Sequence, residues 1–174
     1  VTFEGVRYRL DACRSLPYPL QEPHPRLILG GGAGTRGAAL AARWADEYNV
    51  TSQTPGSARA ARDRLSRACD AIDRDPGDLG FSMMTGFALG TDDDDLRLRT
   101  RRLMERTGER GEPDAFLAEW GEDHLVGSVD EFTERLAVYA AAGVERVMLQ
   151  HLVHEDLETI ALIGERIVPA AAQL

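Results

Sequence analysis

Lysine is absent from this chain: all 20 of its basic residues are arginine. That absence removes a lysine Schiff base and a P-loop lysine from the available chemistry. Cysteine is nearly as scarce. Cys13 and Cys69 are far apart and neither belongs to a C-x-x-C pair, so zinc and thioredoxin readings have nothing to build on. A reduced, cytoplasmic setting is expected. No apolar run approaches the ~20 residues that span a bilayer, and no charged-then-apolar leader opens the chain, so a soluble protein with no membrane partner is expected. Net positive charge is lacking too. The formal charge of -9 argues against a nucleic-acid surface, because phosphate backbones are held by clustered cations. The 174 residues suit a single domain, 1–174, and the opening Val in place of Met reads as a fragment or a processed piece.

What is abundant is glycine in one place. Arg26–Leu29 has the apolar run of a buried parallel strand and meets Gly30, Gly31, Gly32 and Gly34. From Thr35 an alanine-rich stretch follows, with Leu40 and Trp44 four apart as on one helix face, and Tyr48–Val50 is extended again. Strand, glycine turn, helix and strand make one βαβ unit. Such a turn offers anion binding: successive amides face one point without a Cβ in the way, and the helix N-terminus adds unpaired donors and about half a positive charge. Thr35 is a candidate N-cap and Arg36 a candidate guanidinium contact. The bland alternative is a tight turn beneath a packed helix. Gly32, Gly34 and Gly37 spell G-x-G-x-x-G, but a Rossmann site needs an acid at the far end of the second strand. Here Asp46 and Glu47 precede that strand, on the wrong side.

Elsewhere the pattern is conventional. Val1–Leu16 alternates loosely around a turn at Glu4–Gly5, and Pro17, Pro19, Pro23 and Pro25 forbid a helix before the first strand. Ser57 is a plausible cap for a helix to about Asp73, with Leu65, Cys69 and Ile72 inward. Leu79–Leu89 reads as a buried strand in which Gly80 and Gly86 permit close approach of a ligand or backbone. Residues 91–123 form a helical insertion opened by Asp92–Asp95. Those acids suit a helix N-terminus better than a calcium loop, since no glycine or bidentate glutamate follows at the required spacing. Phe116 and Trp120 are placed to pin the insertion onto the core. Ser128 and Glu131 form a capping box, Phe132, Leu136 and Tyr139 keep one face, and Gly143 takes the position after the helix. A strand, Val144–Gln150, and a last amphipathic helix from Leu157 to about Pro169 complete the chain. His151, His154, Glu155 and Asp156 invite a metal reading, yet two histidines three apart in a loop do not match catalytic zinc spacing, so no metal is assigned. Gln150 and His151 fall at the carboxyl end of a strand, where either can reach a polar ligand or simply stand in water.

Strands near 26, 48, 80 and 144, each followed by a helix, fit half of a (β/α)8 barrel or a small doubly wound sheet. The succession Val1–Tyr8, Leu27-Ile-Leu-Gly-Gly-Gly32, Ala41-Ala-Arg-Trp-Ala-Asp-Glu-Tyr-Asn49, Leu125-Val-Gly-Ser-Val-Asp-Glu-Phe132 and Ala141–Gln150 resembles the carboxyl-terminal half of luciferase-like flavin or deazaflavin oxidoreductases. The resemblance implies an α/β fold made of βα units five to eight of a TIM barrel. It implies reduced coenzyme F420, or FMN, as hydride or electron carrier to a small organic substrate. The cofactor phosphate would lie at Gly31, Gly32, Ala33 and Gly34, with Thr35 and Arg36 beside it, and Asn49 and Gln150 orienting the bound molecules. Relatives often carry a lysine in this turn and this chain does not. The amino-terminal half, with the catalytic acid or base, is missing from the match. A homo-oligomer, or association with an amino-terminal half, is therefore expected, the alternative being a non-catalytic half-barrel that serves binding or assembly.

Overall fold

Alternating and 3.6-residue patterns divide the chain between sheet and helix much as those periods dictate. The computed structural model describes residues 1–174. An exposed hairpin, β1 (Phe3–Glu4) with β2 (Arg9–Leu10), precedes the proline-rich segment. The sheet proper follows: β3 (Ile28–Gly30), β4 (Glu47–Thr51), β5 (Gly80–Gly90), β6 (Leu125–Ser128) and β7 (Arg146–Gln150), all parallel. The 11-residue β5 is the axis. Its first half pairs with β4 on one side and β7 on the other, while Phe87–Gly90 pairs with the short β6.

Helices α1 (Thr35–Trp44), α2 (Pro55–Asp70) and α5 (Val129–Ala141) cover one face. The core lies between them and the sheet, built from Leu65, Phe81, Phe132 and Tyr139 among others, all below 2% exposed. Helices α3 (Asp93–Thr107) and α4 (Pro113–Trp120) fall within the segment expected to be helical and cluster around Ala88, Leu96 and Leu103. The chain ends with α6 (Leu157–Leu162), a π-helical turn Ile163–Ile167, and α7 (Val168–Ala171). No helix is long and apolar enough to cross a membrane.

Several caps agree with the sequence. Glu131 accepts the Ser128 N–H at 2.8 Å, Gly143 takes φ +92°, and Asp92 accepts the Asp95 N–H at 2.9 Å at the start of α3. Others differ. Helix α2 is capped by Thr54, whose hydroxyl accepts the Ser57 N–H at 3.2 Å, because Pro55 favours the first helical position and draws the start forward. Helix α1 buries Ala38, Ala41 and Ala42 and leaves Leu40 and Trp44 exposed; small side chains let it approach α2 and the sheet, and the bulky pair points outward. Ile72 lies beyond the end of α2 and is half exposed, so only Leu65 and Cys69 of that trio face inward. Leu157 and Ile160 are exposed while Thr159 and Ile167 are buried. The chain also stays helical through Pro169, because the preceding π turn re-registers the hydrogen bonds around a residue that has no N–H to give.

Candidate cofactor and ligand site

Strand parity sorts the side chains around the glycine turn. In β4, Tyr48 and Val50 enter the helix-covered core, so Glu47, Asn49 and Thr51 face the other side of the sheet. The register places Asn49 between Gly30 and Ser82, with Arg146 opposite Ser82 on β7. This inner face is polar. Buried Glu47 accepts from Ser82 Oγ at 2.5 Å, is paired with Arg146, and meets Arg26 at 3.2 Å. The Arg146 hydrogen bond holds its carboxyl below the usual range against the upward push of burial. Glu47 is the first residue of β4, at the amino end of the sheet, and belongs to an internal ion-pair network with Arg26 and Arg146 rather than to a ribose site.

The turn leaves β3 at the opposite, carboxyl end. Its shape is over-determined by partners underneath. Tyr48 Oη accepts the Ala33 N–H at 3.0 Å, Asn49 O accepts the Gly31 N–H at 3.1 Å, and Arg64 donates to Ala33 O at 2.9 Å and Gly32 O at 3.2 Å. These bonds hold Ala33, fully buried, at φ +49°, a left-handed conformation that a non-glycine residue adopts only when its surroundings compel it. Gly31, at φ +138°, admits the Tyr48 hydroxyl, since a Cβ there would lie 3.2 Å from it. With the Gly31 and Ala33 amides engaged and the Gly32 and Ala33 carbonyls turned to Arg64, the free amides are those of Gly32, Gly34 and the first turn of α1.

Gly34, not Thr35, is the N-cap of α1, and Thr35 is the first helical residue. A glycine cap brings no side-chain oxygen to occupy the amides, so they face outward uncapped. A Cβ added at Gly32 or Gly34 would meet nothing within 4 Å, so space lies open above the turn. Arg36 is exposed on the same turn. These donors, the helix dipole and the open space above them suit an anionic group such as a phosphate.

The remaining candidates scatter. Asn49 donates to Ser82 Oγ at 2.8 Å and lies 3.8 Å from Met148 Sδ, within the inner face. Gln150 pairs with Gly86, two side-chain layers nearer the carboxyl end, and is exposed. His151 is no free loop side chain: its ring stacks on Phe87 at 5.6 Å and Nε2 lies 3.1 Å from Asp156 O. Asp156 is buried against Arg99 at 2.8 Å, and His151, His154, Glu155 and Asp156 do not converge on a point. Gly80 and Gly86 do permit close approach, but by side chains. Arg26 reaches over Gly80, and Trp120 and His124 over Gly86.

Sequence reasoning did not single out Tyr48 or Arg64 as supports of the turn. Tyr48 stands inside the Ala-Asp-Glu-Tyr-Asn string, so its place on the core side of a strand beside three glycines was the available signal. Arg64 had none, being one arginine of several on a helix.

The comparisons with known proteins agree with this architecture. The model of the family described as luciferase-like monooxygenase matches residues 1–165. Among solved structures, the coenzyme F420-dependent tetrahydromethanopterin reductase of Methanopyrus kandleri is similar over 97% of this chain and 57% of its own, with 16% identity and a TM-score of 0.71. An F420-dependent secondary alcohol dehydrogenase, solved with an F420–acetone adduct, matches over 98% of this chain and 56% of its own, at 19% identity and TM-score 0.71. The monooxygenase RslO1 of Streptomyces bottropensis matches at 21% identity, TM-score 0.72, over 97% of this chain and 55% of its own. The chain thus spans little more than half the length of these structures. No curated protein matches it.

Proposed function

This chain belongs to the luciferase-like monooxygenase family, and on that premise we propose that it is the cofactor-phosphate-binding portion of an oxidoreductase that uses coenzyme F420, or FMN, on a small organic substrate. The carrying observation is the turn after β3, where the amides of Gly32 and Gly34 are free, open to space and backed by a helix N-terminus. The bound cofactor supplies the hydride or electrons. The chain's own work is to hold it. Gly32, Gly34 and Thr35 present amides to the phosphate, Arg36 adds an exposed cation, and Gly31 and Ala33 shape the turn from below. Asn49, fixed by Ser82, presents a carboxamide on the inner face, and Gln150 offers a second one nearer the mouth.

The strand order β3-β4-β5-β7, with parallel pairing throughout, supports reading the four βα units as units five to eight of a (β/α)8 barrel. In that reading the inner face is a barrel wall completed by an amino-terminal half or by a second copy. A second function, a non-catalytic module that keeps the sheet for assembly, is favoured by the apolar exposure of Leu27 (44%), Ile28 (45%) and Leu20 (98%).

Titration of the purified chain with F420 and with FMN, followed by fluorescence and by size exclusion, separates the two. Saturable binding that competes with inorganic phosphate supports the oxidoreductase reading. An oligomer that binds neither cofactor assigns the chain to the second, and a stable monomer that binds neither counts against the oxidoreductase reading of this chain by itself.

A further inference from the structure

The carboxyl end of β4 carries a second constellation that phosphate binding does not use. Ser52 follows the strand directly, at φ +37°, and α2 begins three residues later. A left-handed serine between strand and helix is a strained elbow that lifts its hydroxyl off the sheet edge. Ser52 Oγ lies 3.2 Å from His124 Nε2, and His124 Nδ1 lies 2.6 Å from Asp123 Oδ1. Nucleophile, base and orienting carboxylate thus stand in sequence within hydrogen-bond reach.

The imidazole is held from other sides too. Its ring stacks on Trp120 at 4.2 Å, Trp120 stacks on Phe116 at 5.3 Å, and Gly86 lies beneath with no side chain to push the rings away. Nδ1 is also 3.1 Å from Trp120 O, so both neighbours of that nitrogen are acceptors. The proton belongs on Nδ1, which leaves Nε2 free to receive the one on Ser52. Thr85 Oγ1 donates to Gly86 O and so is a second acceptor for the single serine proton, at 3.4 Å a longer one than Nε2 at 3.2 Å.

The residue after the serine offers a donor for developing negative charge. Ser52 N–H is spent on Met84 O at 2.9 Å, whereas the Gln53 and Thr54 amides have no partner in the chain. A cavity of about 410 Å³ adjoins the pair without being lined by Ser52 or His124 themselves; Thr54, Phe116, Trp120 and Asp123 line it together with Glu109, Glu119 and Glu122. Aromatic rings and carboxylates there suit a neutral or cationic acyl compound and repel an anionic one.

We infer that Ser52, His124 and Asp123 form a site for acyl transfer, with neutral or cationic esters as substrates. Ser52 Oγ bonds to the acyl carbon as its proton passes to His124 Nε2. The ester C–O bond breaks and the leaving alkoxide takes that proton, giving an alcohol. Water then loses a proton to Nε2 and attacks the acyl-serine, releasing the acid and restoring the hydroxyl. Asp123 fixes the ring and stabilises its charged form, and the Gln53 and Thr54 amides face the oxyanion.

The test uses the full chain, without cofactor, and a fluorophosphonate probe, with peptide mapping by mass spectrometry. The expected result is a single adduct on Ser52, with the labelling rate lowered at least about 100-fold by His124→Gln, the general-base contribution. Ser52→Gly relieves the positive φ, so it keeps the fold by circular dichroism and loses the label. Asp123→Asn, at a half-exposed position, gives an intermediate rate and serves if the histidine variant misfolds. Hydrolysis of p-nitrophenyl acetate should fall in parallel, and an anionic ester should react more slowly than a cationic one. An adduct elsewhere, no adduct, or equal labelling of the wild type and the Asp123→Asn variant overturns the inference. None of these outcomes bears on cofactor binding, which is measured separately.

Discussion

Tyr48 and Ala33 are joined across the first βαβ unit: the phenol, 2% exposed, accepts the Ala33 amide at 3.0 Å and so holds the turn over β3 in its left-handed bend. Tyr48→Phe keeps the ring and removes the acceptor. The expected cost is about 1 kcal/mol in urea unfolding, the net worth of a hydrogen bond, together with weaker binding of the phosphate-bearing cofactor. Unchanged cofactor affinity in a destabilised variant would separate the support from the site.

Gly34 has φ −65°, a conformation open to any residue, and its Cβ would meet nothing. Gly34→Asp should therefore fold, and its carboxylate should cap α1, raising stability by roughly a few tenths of a kcal/mol, since glycine is itself a tolerated cap. The same carboxylate occupies the amides and repels an anion. Cofactor affinity is expected to drop while the thermal midpoint rises, and calorimetric titration beside thermal unfolding reads both. A variant that binds F420 and FMN as well as the wild type would remove the phosphate from this turn.

Arg99 joins α3 to the start of α6, donating to Asp95 at 2.9 Å and to Asp156 at 2.8 Å with little exposure of either Arg99 or Asp156. Arg99→Met leaves Asp156 buried with only its backbone and Thr159 partners and the more distant Arg102. The expected loss is about 3–5 kcal/mol, the cost of breaking a buried pair from one side. Asp156→Asn in the same background should recover part of it, and denaturant midpoints of the single and double variants check the coupling.

Acid should unfold the chain through identifiable carboxylates. Burial raises the Asp156 carboxyl, but the Thr159 N–H and Arg99 outweigh it and leave the group below its ordinary 3.8; Glu47, held by Arg146, lies below its ordinary 4.5. A folded-state value lower than the unfolded one adds stability that is fully present above the ordinary value and is lost as pH falls through the folded one. Denaturant midpoints should be flat near neutrality and decline from about pH 4.5 downward. Glu47→Gln and Asp156→Asn should each make that decline shallower, and a slope that neither variant alters would place the acid sensitivity elsewhere.

Much of this was legible from one dimension. Periodicity and turn chemistry placed the strands, because a strand's buried run and the glycines or prolines around it are local properties. The capping box at Ser128 and the C′ glycine at Gly143 were readable for the same reason: both ends of each contact lie within one turn. The sequence also singled out the glycine segment as a candidate anion seat, which remains a proposal, and carried the family resemblance, which the family match bears out. Chain order alone left open which face of α1 is buried. Leu40 and Trp44 carry more apolar surface than its alanines, yet close packing against α2 rewards small side chains.

Only the tertiary structure decided which amides of the glycine turn are free, because that depends on Tyr48 and Arg64 arriving from elements 15 and 31 positions away from Ala33. It alone set Gln150 two layers beyond Asn49, since register is a relation between strands. It also brought Ser52 to His124, 72 residues apart. The sequence by itself determined what each segment becomes, since propensity and pattern act over a few residues. Which polar groups meet was settled by packing long-range elements against one parallel sheet, where burial forces each donor to find an acceptor.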